Sequence, residues 1–75
     1  MDEVVRLCQQ LIQLDTRNPG RTEEVAADFV AERLATAGCK VDVHEFEPGR
    51  RSVVARIEGD SAIPLGLTGH LDTVP

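Results

Sequence analysis

The sequence contains no Trp or Tyr and only two Phe, so aromatics make up 3% of its 75 residues. With so few rings, a platform on which nucleobases stack is not expected. Positive charge is also scarce: Lys and Arg total 8 against 13 Asp and Glu, for a net charge of -5. That balance argues against a surface that grips nucleic acid or an anionic membrane, because either needs clustered cations. No apolar run approaches the ~18 residues of a membrane span. Residues 1–6 lack the basic start and apolar stretch of a signal peptide, so none is expected. Two cysteines, Cys8 and Cys39, are too few for a disulfide framework. Both are expected to be reduced thiols packed as small hydrophobes, which fits a cytoplasmic location.

What is present is an ordinary globular composition, 41% hydrophobic, in a length that allows at most one small domain. A chain this short buries only about 60% of its unfolded surface and is marginal without a staple. A metal, a partner or further chain is therefore expected to complete it. No internal repeat, low-complexity tract or linker divides it.

Periodicity predicts a helix over residues 2–14. Val4, Cys8, Leu11 and Ile12 recur at helical spacing, Leu7 and Leu14 widen the stripe, and Asp2 and Glu3 suit the positive end of the helix dipole. Asn18-Pro19-Gly20 stops it with strong turn chemistry. A second helix is expected from Thr22, a good N-cap, with Ala26, Phe29, Val30, Arg33, Leu34 and Ala37 along one side and Gly38 as the terminating residue. At residue 40 the period changes to alternation. Val41 and Val43 face one way, and Asp42, His44 and Phe46 the other. Residues 48–51 read as a turn and 52–58 as a second strand, the two strands forming a hairpin. Residues 62–67 are a short apolar run suited to a buried strand.

The segment after that run carries the chemistry. In extended chain, residues i and i+2 point to the same side, so His70 and Asp72 face one space. A neutral imidazole is the commonest metal ligand, and ligating histidines hand their other N–H to a carboxylate or carbonyl. Gly69 allows a bend or a close backbone approach. A bare His-x-Asp also arises by chance, and an exposed loop with a locally paired histidine is the competing reading. One His and one Asp do not close a zinc site, which takes about three protein ligands in catalytic centres. His44, in mid-strand among charged neighbours, reads as a solvated residue. Neither Cys has a His nearby in sequence, and neither Gly-x-Ser-x-Gly nor a phosphate loop occurs.

Three segments in order resemble one family. Leu14-Asp15-Thr16-Arg17-Asn18-Pro19-Gly20 is similar to a "D-T-x-N-P" turn. Ser52-Val53-Val54-Ala55-Arg56 is similar to an "N-V-V-A" strand. Leu67-Thr68-Gly69-His70-Leu71-Asp72-Thr73-Val74-Pro75 resembles a first metal motif almost letter for letter. Together they resemble the start of the M20 family of zinc-dependent amidohydrolases and exopeptidases, a group that includes acetylornithine deacetylase, succinyl-diaminopimelate desuccinylase, aminoacylase and carboxypeptidase G. The resemblance covers essentially all 75 residues but only the first portion of a family member.

The resemblance implies an α/β fold: the N-terminal part of a zinc-exopeptidase-like mixed β-sheet with flanking helices, incomplete. It implies that residues 1–75 are an N-terminal portion of a catalytic domain, with the rest of that domain and a lid or dimerisation domain absent. His70 matches the ligand of one of two zinc (or cobalt) ions. Asp72 matches the aspartate named as catalytic, which orients that histidine. The family's bridging Asp, its Glu general base with a Glu neighbour, its further acidic ligand and its distal His have no counterpart here. The expected parent is a hydrolase that cuts an amide bond of an N-acyl amino acid or small peptide. Its expected activity is deacetylase- or desuccinylase-like, with dipeptidase or carboxypeptidase as the alternative, and it is expected to be a homodimer. The 75-residue chain by itself is expected to be inactive and not to bind zinc tightly. The rival reading from another class is a non-catalytic remnant or a small interaction module derived from the same fold.

Overall fold

A computed structural model describes residues 2–74. The chain is a small α/β unit of two helices and one two-stranded antiparallel sheet, in the order α1 (Glu3–Ile12), α2 (Glu24–Thr36), β1 (Lys40–Glu47), β2 (Arg50–Arg56).

The start of α1 and the end of α2 follow the expected chemistry. Asp2 caps α1, its carboxylate accepting from the Val4 N–H at 2.9 Å, so one of the orphan donors of the first turn is satisfied. At the far end of α2, the Gly38 N–H donates to the Ala35 carbonyl and the Cys39 N–H to the Leu34 carbonyl. With Gly38 at φ +99°, this is a Schellman ending, and glycine adopts that backbone without a Cβ penalty. The start of α2 differs from expectation. Glu23, not Thr22, occupies the cap position, and no side chain caps it. The Thr22 side chain lies instead against Gly49, where an added Cβ would meet its Oγ1 at 2.9 Å.

The hairpin forms as expected, with Val43 opposite Val53 and Val41 opposite Ala55. Its turn is tighter than the sequence suggests. Pro48-Gly49 alone connects the strands, with Gly49 at φ +77°, so Arg50 and Arg51 already belong to β2. Proline followed by a positive-φ glycine is the pattern of a type II turn. An irregularity between Glu45 and Glu47 drops Phe46 from the register, and its ring is exposed. One face of the hairpin packs on α2. Arg51 crosses that contact from β2, donating to both carboxylate oxygens of Asp28 at 2.7 Å and to Glu45 at 3.0 Å.

Several expectations are corrected. Of the expected mixed sheet, the described residues form the antiparallel hairpin, and the one parallel contact among them is an isolated bridge between Arg17 and Thr73. Residues 62–67 form no strand. Ile63, Leu65 and Leu67 are exposed, because a strand needs a hydrogen-bonding neighbour and no third ladder stands beside this segment. Cys8 is exposed, not packed, and Cys39 is half-buried. Both follow from a small core, in which only Ala26 and Ala27 are buried apolar residues among those described. On α1 Leu7 and Leu11 are half-buried, as is Leu14 just beyond it, while Val4 and Ile12 are exposed.

Candidate functional site

Two loops distant in sequence meet edge to edge. The Asn18 N–H donates to the Thr73 carbonyl at 2.8 Å, and the Thr73 N–H donates to the Thr16 carbonyl at 3.0 Å. The hydroxyls of Thr16 and Thr73 lie 3.4 Å apart, and Thr16 is the one buried polar residue among those described. The turn after α1 and the segment holding His70 and Asp72 are thus joined by a single parallel bridge. It satisfies backbone groups that neither loop satisfies alone.

Within the second loop, Asp72 lies beside His70, which precedes it by two residues. The His70 Nδ1 lies 2.9 Å from the Asp72 carbonyl and 3.1 Å from its Oδ1. The carbonyl can only accept, and so can the ionised carboxylate, so Nδ1 carries the hydrogen and donates. In the neutral ring the lone pair then sits on Nε2. The imidazole is 84% exposed, so that lone pair is open to an incoming ligand, whereas Asp72 is 42% exposed.

The other oxygen of Asp72 has its own partner. The Asn18 amide donates from Nδ2 to Asp72 Oδ2 at 3.4 Å, and its Oδ1 accepts from the Arg50 guanidinium at 3.1 Å. Arg50 in turn donates to Glu23 at 2.7 Å, a contact in which both side chains are largely covered. The hydrogen bonds from Asn18 and then from His70 hold the Asp72 carboxyl below the usual carboxylate range. A continuous line therefore runs from the start of α2 through β2 and the turn to His70.

Both predicted site residues, His70 and Asp72, are brought together. His44 is elsewhere, exposed in β1 opposite Ser52. Among the described residues, no group of three or more His, Cys, Asp or Glu is placed to hold a metal ion. The shallow hollow of about 210 Å³ beside the turn is lined by Arg17, Pro19, Gly20 and Arg21 and does not include His70. Sequence reasoning did not single out Asn18 and Arg50. The only signal for Asn18 was its place in the "D-T-x-N-P" turn, where it reads as turn chemistry, and Arg50 carried none.

No protein-family model, curated protein or solved structure gives a significant match to the chain.

Proposed function

We propose that residues 1–75 are the N-terminal portion of the catalytic domain of a metal-dependent hydrolase, with His70 as a metal ligand and Asp72 as the residue that orients it. The observation that carries this reading is the Nδ1 contact to Asp72, which leaves the lone pair on Nε2 of a largely exposed side chain. A carboxylate behind a ligating imidazole fixes its tautomer and raises its basicity. The donor chemistry fits one coordination position of zinc or cobalt and no more, so this reading needs further ligands from outside these residues. When bound, such an ion makes a water nucleophilic near neutral pH and polarises the amide carbonyl. The chain's own contribution is to hold one donor in place. The proposed substrate is an N-acyl amino acid or small peptide, with a deacetylase- or desuccinylase-like activity, and the resemblance of residues 67–75 to the M20 metal motif supports that class. Two unpaired thiols support a reducing compartment such as the cytoplasm.

The test begins by reading the frame beyond Pro75 and then compares wild type with His70→Ala in the protein it encodes. The expected outcome is loss of one equivalent of bound metal and of amide hydrolysis. A His70→Ala protein with unchanged metal content and activity removes the reading.

A further inference from the structure

The line of contacts behind His70 is longer than a ligand and its carboxylate, and its middle member is uncharged. Arg50 can only donate and an ionised Asp72 can only accept. An amide between them therefore has one satisfactory orientation, Oδ1 toward Arg50 and Nδ2 toward Asp72, and Asn18 has it. Aspartate at this position would face Asp72 with a second negative charge. The Asn18 backbone is tied independently to Thr73, one residue beyond Asp72, so the same bridge holds the amide and its acceptor near each other. Arg50 is anchored by Glu23 at the start of α2, with side chains only 25% and 14% exposed, so the line begins on the best-covered ion pair among the described residues.

We propose that Asn18 is a positioning residue: it holds one oxygen of Asp72 so that the other fixes the His70 ring with hydrogen on Nδ1 and the lone pair on Nε2. Arg50 supports it by holding the amide oxygen. Without Asn18, the Asp72 carboxylate is free to rotate away from the ring, which leaves the Asp72 carbonyl at 2.9 Å as the one remaining acceptor for Nδ1–H and weakens the preference for that tautomer. The importance of this for catalysis rests on His70 being a metal ligand, but the positioning itself is a property of the metal-free chain.

The test reads the tautomer directly. Long-range proton–nitrogen NMR of the nitrogen-15-labelled chain, held at a concentration where sedimentation gives the 8.2 kDa of one chain and at about pH 9 where an imidazole side chain is neutral, gives the Nδ1–H to Nε2–H ratio of His70. Wild type is expected to favour Nδ1–H. Asn18→Ala is expected to lower the ratio about threefold, the scale of one modest hydrogen bond. Hairpin amide shifts should stay in place. Asn18→Asp, which keeps the side-chain size and the acceptor for Arg50, is expected to lower it as well, and it supplies the answer if the alanine variant does not fold. An unchanged ratio in a folded variant overturns the proposal. A lowered ratio combined with unchanged metal content in the His70→Ala hydrolase keeps the positioning role and discards the metal reading. The opposite pair of results discards Asn18 and keeps the ligand.

Discussion

Asp15 sits between two guanidinium groups. Arg17 makes two contacts of 2.8 Å to it, and Arg21 lies 3.4 Å away. The paired hydrogen bonds from Arg17 favour the ionised form and lower the Asp15 carboxyl from 3.8 to about 2. The sign of the linkage follows: because the folded value lies below the unfolded one, the stabilisation is present above about pH 4 and is lost as pH falls toward 2. Carboxyl carbon NMR during an acid titration should place Asp15 near the bottom of the series, and Arg17→Ala should return it most of the way to 3.8. A midpoint that does not move with Arg17 would contradict this assignment. At this scale the sequence was legible where spacing alone sets geometry, as for His70 and Asp72 two residues apart. Asn18 and Arg50 were not, because they stand 54 and 32 residues from their respective partners Asp72 and Asn18. Nothing local encodes contacts that only the assembled turn, hairpin and α2 create.

Elements were legible for the same reason and to the same limit. Both helices, their stop signals and the hairpin follow from period and turn chemistry within a few residues of each other. The boundaries moved where a tertiary contact intervened. Thr22 has the chemistry of an N-cap, yet its side chain closes over the hairpin turn, and Glu23 takes the cap position. That contact makes Gly49 sensitive on two counts. Its φ of +77° disfavours any side chain, and a Cβ there would press on Thr22 at 2.9 Å. A left-handed non-glycine residue costs roughly 1–2 kcal/mol, and the crowding adds to it. Gly49→Ala should therefore speed amide exchange in β1 and β2 by about tenfold, equivalent to ~1.4 kcal/mol of local opening. Gly38→Ala, at φ +99° with no atom within 4 Å, should lack the crowding and perturb only the end of α2. Equal effects of the two on hairpin exchange would show that Thr22 does not brace the turn.

The extents of the chain, 43 × 36 × 18 Å, describe a thin slab: α2 covers one side of the hairpin, and no second layer is present among the described residues. The apolar run at residues 62–67 marks the limit of sequence reading at this scale. Its composition suits a buried strand, but burial requires a neighbour, and Ile63, Leu65 and Leu67 remain 82–92% exposed. Val4, Ile12, Phe46 and Ile57 add to the uncovered apolar surface. With only Ala26 and Ala27 buried among the described apolar residues, the core is small, and the unpaired strand edges offer backbone donors and acceptors to another chain. The 75-residue chain is therefore expected to self-associate. Sedimentation should give a mass that rises with concentration above the 8.2 kDa of one chain. Replacing Leu65 and Leu67 together by Lys removes apolar contact from the segment without touching the hairpin, so the mass should fall toward that of the monomer while the hairpin amides keep their shifts. If the edges of β1 and β2 drive association instead, the lysine variant will associate as wild type does. A wild-type chain that stays monomeric at every concentration and unfolds in one cooperative transition would contradict both routes, because the few buried side chains would then suffice to hold the slab without a partner.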